Sequence, residues 1–238
     1  MTDVEAPETR TTRPLAVRAS EKTIVSGKTI VRLLLLCGVV ASVLYVATDV
    51  LASMLWPAYS YTSQSVSQLL AIGTPTRSFV FPLMTAYNVL VIAFGVGVLA
   101  SAASRRSLRV AGILLVAYGI VSFMGLALFP LHLGQTEASS GAAGHVAITG
   151  LIVLLMLLYM GFGAAGLGNA FRLYTIVTVV AVVLAGGYAG SQVSALAETG
   201  SSPWLGVIER VNIYLSLLWV AVFAVALLRR ERRLVTAE

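Results

Sequence analysis

Six stretches of the chain are apolar and almost free of charge, at about residues 30–50, 79–102, 108–130, 143–166, 171–192 and 208–228. Each is long enough, at roughly 19 residues or more, to cross a hydrocarbon core of about 30 Å as a helix. Strands of a membrane barrel would be shorter and would alternate polar with apolar positions, which these stretches do not. The pattern predicts an all-α integral membrane protein, a bundle of six transmembrane helices over residues 30–230. Before it, residues 1–29 mix Pro, Thr and both charge signs without apolar periodicity and are expected to form a disordered cytoplasmic tail. The first apolar run is too long for an ordinary signal-peptide core and reads as a retained anchor. Residues 231–238 form a basic cytoplasmic tail.

The connection after the first span, WPAYSYTSQSVSQLLAIG at residues 56–73, departs from this pattern. From Ser63 onward Val66, Leu69 and Leu70 share one face, so a short amphipathic helix is expected, capped by Ser60 or Ser63 and ended by Gly73 and Pro75. Trp56, Tyr59 and Tyr61 are residue types that sit at headgroup level.

Composition agrees with a membrane protein. Hydrophobic residues make up 58%, charged residues 11%, and the mean hydropathy is +0.91, whereas about 25% of a soluble domain is charged. The single cysteine, Cys37, allows no intramolecular disulfide and no thiolate metal site.

Charge adds an orientation. Fourteen of the sixteen Lys and Arg residues fall in the two tails and in the connections after the second and fourth spans. These segments are expected to be cytoplasmic, with Arg77 and Arg210 at the outer end. The net charge of +6 is then a topology signal, with no nucleic-acid partner implied, and the RRERR run at 229–233 suits anionic lipid heads. The expected location is a bacterial plasma membrane, multi-pass.

This topology gathers Asp49, His132, Glu137, His145, Glu198, Glu209 and Arg210 at the outer end. Ser42, Tyr45 and Asp49 are spaced to share a helical face, and so are Glu209, Asn212 and Ser216. An ion pair of Arg210 with Asp49 or Glu209 is expected near the membrane boundary. His132 and His145 flank a short connection between antiparallel neighbours and should lie at similar depth. With Asp49 they would form a His, His, carboxylate set suited to zinc, or else a hydrogen-bonded pair or a pH-coupled one. No HExxH or comparable spacing accompanies them. Asn88 and Asn212 are candidates for interhelical hydrogen bonds, and GFGAAGLG at 161–168 and GGYAG at 186–190 for close helix approach.

PAYSYTSQSVSQLLAIGTPTR, then FPLMTAYNVLVIAFGVGV in the second span, the FPLH and GH pair, and GVIERVNIYLSLLW in the last span together resemble a known family. It is the bacterial six-span membrane family "domain of unknown function 998", and the likeness covers roughly residues 30–230. The resemblance implies recurring residues at Asp49, Pro57, Tyr59, Ser60, Ser63, Ser67, Leu69, Asn88, Pro130, His145, Glu209 and Arg210, and an acidic residue where this chain has His132. It carries no established activity. The polar loop followed by FxxxxxxN is also similar, more distantly, to eukaryotic multispan proteins of GPI-anchor remodelling and lysosomal regulation.

The expected site is an outward-facing polar pocket holding a lipid head group or small amphiphile. Its candidate residues are Asp49, Tyr59, Ser60, Ser63, Ser67, Asn88, His132, His145, Glu209 and Arg210. A metal-dependent lipid hydrolase or transferase, with zinc on Asp49, His132 and His145, and a small proton-coupled carrier are the alternatives. No cofactor is required by the first reading, and the expected partners are membrane lipids, with a second copy or another membrane protein also compatible.

Overall fold

A computed structural model describes residues 15–136, 139–199 and 202–236. Glu137 lies outside the described residues, and the side chain of Glu198 is likewise not described. The helices are α1 (Leu15–Leu55), α2 (Arg77–Ser101), α3 (Arg106–Leu128), α4 (Ala143–Ala165), α5 (Asn169–Thr199) and α6 (Leu205–Thr236). All are long and apolar enough to cross a membrane. In lipid this is the expected outcome, because a helix satisfies its backbone N–H and C=O groups within itself. Among the described residues there is no strand, only an isolated parallel bridge between Ile72 and His132.

Consecutive helices run antiparallel, and α6 packs between α1 and α5. The tightest glycine seam joins α2 to α3. A Cβ on Gly112 would stand 2.7 Å from Leu99 and 2.9 Å from the Gly95 carbonyl, and one on Gly95 would meet Val116 and the Gly112 carbonyl. The two runs singled out in the sequence behave differently. Gly163 and Gly166 do meet neighbours, Trp219 and Leu108, but Gly161, Gly168, Gly187 and Gly190 face open space. Periodicity identifies a small-residue face without saying which helix covers it.

The two ends of the bundle contrast. At the arginine-rich end Tyr159 of α4, Phe171 of α5, and Trp219 and Phe223 of α6 stack with ring centroids 4.8 to 5.7 Å apart. Phe94 of α2 joins them edge-on, and the Trp219 indole donates to Thr175 at 2.8 Å. Arginines close the turns at this end: Arg105 donates to the Gly166 carbonyl, Arg109 to Ala103 and Arg172 to Ala165, satisfying carbonyls that helix C-termini leave free. At the opposite end two long connections fold against one another, with Ile72 N donating to Leu131 O and Leu133 N to Ile72 O, both at 2.8 Å.

The segment expected to be helical from Ser63 contains a five-residue 3-10 helix, Val66–Leu70. Ser60 and Ser63 do not cap it. They bond each other at 2.7 Å, while Gln64 accepts from the Ser60 amide. Leu69 is buried against Ala52, Val80 and Met84, so the segment is folded into the bundle mouth.

The glycine seam predicts a contrast. Gly112→Ala should destabilise the fold by about 1–3 kcal/mol through overpacking, read as a lowered thermal midpoint in detergent. Gly161→Ala, which meets nothing, should leave the midpoint unchanged or raise it.

Candidate functional site

Asp49 in the last turns of α1 and Arg210 in the first turns of α6 are each 2% exposed. They form a bidentate pair, with Nε on Oδ2 and Nη2 on Oδ1, both at 2.9 Å. A guanidinium carries five N–H donors in a fixed fork, and here every one has a partner. Besides Asp49 they reach the Tyr59 hydroxyl at 2.8 Å, the Tyr61 carbonyl at 2.8 Å and the Gly206 carbonyl at 3.1 Å. The Tyr61 ring lies 3.7 Å from the guanidinium carbon, a cation–π contact. Tyr214, one turn after Arg210, donates its hydroxyl to Asp49 Oδ2 at 2.5 Å.

The result is a staple that fastens the 56–76 connection to α1 and α6. Tyr59 extends it by donating to the Ser65 carbonyl at 2.8 Å, and burial pushes its phenol well above the usual range, against the opposing pull of Arg210. Glu209 adds a second tie, accepting from the Val66 amide at 2.8 Å. Gly206 is required where the connection crosses α6, since a Cβ there would strike the Gln64 and Tyr61 carbonyls. Arg77 belongs to the same device: it donates to the Leu70 carbonyl at 2.6 Å, at the end of the 3-10 helix.

Beneath this roof the bundle is hollow. A cavity of about 200 Å³ lies under the 3-10 helix, lined by Ser67, Asn88, Ser122 and His145 among others. A second, of about 340 Å³, lies between α4 and α5 and reaches Glu209, Asn212 and Ser216 on α6. Tyr45, Tyr87, Tyr118, Thr149 and Ile152 line both, so the two spaces share a wall of tyrosines. Tyr45 meets Tyr87 edge-to-face at 5.0 Å, and the Tyr87 and Tyr118 hydroxyls lie 3.3 Å apart. Thr149, Val153 and Gly190 are exposed, so the second space opens sideways between α4 and α5.

The ten candidate residues therefore divide. Asp49, Tyr59 and Arg210 build the staple, and Ser60 and Ser63 the turn it holds. Ser67, Asn88 and His145 line the first cavity and Glu209 the second. His132 is exposed beside a separate polar recess formed with Gln64, Gln68 and Gln135. The structure thus does not gather Asp49, His132 and His145: among the described residues no three of His, Cys, Asp and Glu come within reach of one metal ion. A common bundle end sets similar depth for the histidines but not their direction around the bundle. The single pocket expected from Asp49, His132, His145, Glu209 and Arg210 is likewise replaced by a saturated pair and a cavity beside it. Asn88 donates within its own helix to the Met84 carbonyl, whereas Asn212 does cross to the Val182 carbonyl of α5.

The family model described as "Protein of unknown function (DUF998)" matches residues 39–226. The chain belongs to the DUF998 family. No curated protein and no solved structure matches it. The span matched as DUF998 contains the whole staple and every residue lining the two cavities. Sequence reasoning missed Tyr87, Tyr118 and Tyr214 as site residues. A signal for the first two exists, since a phenol inside a membrane span needs a polar partner; Tyr214 stands four positions after Arg210, on the same helical face.

Removing one partner of the buried pair should be worse than removing both. Asp49→Leu or Arg210→Met alone should cost about 3–5 kcal/mol, because each leaves a buried charge uncompensated. The double variant should cost less than either single one, measured by thermal unfolding in detergent.

Proposed function

We propose that this DUF998 protein binds a small amphiphile or lipid drawn from the bilayer, seating its head group in the tyrosine-walled cavity. One observation carries the reading: the hollow half of the bundle opens sideways between α4 and α5, at the end where polar residues cluster. A ligand entering there keeps its chain among Ile152, Val153 and Val193 while its head reaches the tyrosines and Glu209. Sites of this kind, mostly apolar with a few placed polar groups, suit such ligands. The arginine count supports an outward-facing mouth, at the level of the outer leaflet. Binding is favoured over conduction because the arginine-rich half is filled by Trp219, Phe223, Tyr159 and Phe94.

Gly190 gives a test. It lines the opening, and a Cβ there meets nothing within 4 Å, so an aromatic side chain should fit without disturbing the fold. Protein purified in mild detergent should carry a bound amphiphile visible by native mass spectrometry, and Gly190→Trp should lose it at unchanged thermal midpoint. Equal retention in both proteins, or none in the parent, would sink the reading.

A further inference from the structure

The polar groups of the cavity walls share a bias. Three side-chain donors are turned onto the protein's own carbonyls: Asn88 Nδ2 to Met84, Asn212 Nδ2 to Val182, and Ser216 Oγ to Ile213. His145 Nδ1 lies 2.9 Å from the Phe129 carbonyl. A backbone carbonyl can only accept, so in the neutral ring Nδ1 carries the proton and Nε2 is left as an acceptor. Acceptors remain. Asn88 is 4% exposed and its Oδ1, buried in the cavity wall, has no hydrogen-bond partner. An orphan acceptor of that kind is costly in the low dielectric of a membrane interior and gains from any donor brought to it.

The charges agree. Among the described residues neither cavity is lined by Lys or Arg, and Arg210, which follows Glu209 in sequence, has all its donors committed to the staple. Among the described residues Glu209 is the only carboxyl on the walls. Around it stand the three tyrosines, whose ring faces are electron-rich.

We infer that the cavity selects an amphiphile whose head is an amine or ammonium group, a donor of hydrogen bonds and positive charge, over one with a phosphate, sulfate or carboxylate head. Such a head, seated in the second cavity, would meet the Glu209 carboxyl and the tyrosine rings, and its chain would leave between α4 and α5. An anionic head would be stripped of water beside the Glu209 carboxyl, with only neutral hydroxyls and no cation to receive it. This assignment rests on the proposed binding function.

The test is equilibrium binding of three radiolabelled probes of equal chain length, tetradecylamine, tetradecanol and tetradecanoate, to the full chain in maltoside detergent. The amine should bind at least about tenfold more tightly than the carboxylate, the size of one charge-assisted hydrogen bond. Glu209→Gln keeps an acceptor for the Val66 amide, so the fold should persist. It should weaken the amine about tenfold and leave the alcohol within about twofold. Carboxylate binding as tight as the amine, or an amine affinity indifferent to Glu209→Gln, overturns the assignment while the cavity's binding role stands. Failure of all three probes to bind overturns both.

Discussion

Much of the structure hangs on one buried ion pair, Asp49 with Arg210. Taking two charges out of water costs several kcal/mol per ion, repaid only when geometry is good and the remaining donors are satisfied. Both conditions hold: the pair is bidentate, and the other guanidinium donors end on Tyr59, Tyr61 and Gly206. Lysine could not substitute, since a point charge cannot hold a carboxylate, a phenol and two carbonyls in one plane. Because two of those partners belong to the 56–76 connection, the pair that joins α1 to α6 also sets the roof.

The roof in turn defines the cavity. Ser67 and Leu70 of the 3-10 helix line the space below it, and Glu209, beside Arg210, both ties Val66 and enters the neighbouring space. Arg77 holds the far end of the same helix. The two basic residues at this end of the bundle, the exceptions to the arginine imbalance, are thus both engaged by one loop. They are structural, and so the walls of the hollow are left with acceptors and aromatic rings.

Opposite ends of the bundle solve different problems. Where α4, α5 and α6 meet near the arginine-rich end, large aromatic rings fill the space and hold the helices together by packing, the main force between helices in lipid. Toward the other end α4 and α5 are separated by the second cavity, and small residues, Gly186, Ala189 and Gly190, leave its wall open. A closed base and an open side are compatible in one bundle because helices in lipid need not bury every face.

The six helices, their order and their alternation follow from the pattern of apolar runs alone, since in a bilayer each run must satisfy its own backbone. It also showed which end of the bundle holds Asp49, Glu209, Arg210 and the histidines, because chain direction alternates with every span. Local spacing placed Glu209, Asn212 and Ser216 on one face, and all three line the second cavity. Which of these residues meet across that end is a matter of how the helices pack. Asp49 and Arg210 lie 161 positions apart, and nothing local distinguishes that pairing from one with His132 or His145. Helical periodicity gives each residue a direction on its own helix, but the rotation of one helix against the next is set by packing, by Gly95 on Gly112 and by Gly206 beneath the loop. That rotation turned a single expected pocket into a saturated staple with a cavity beside it.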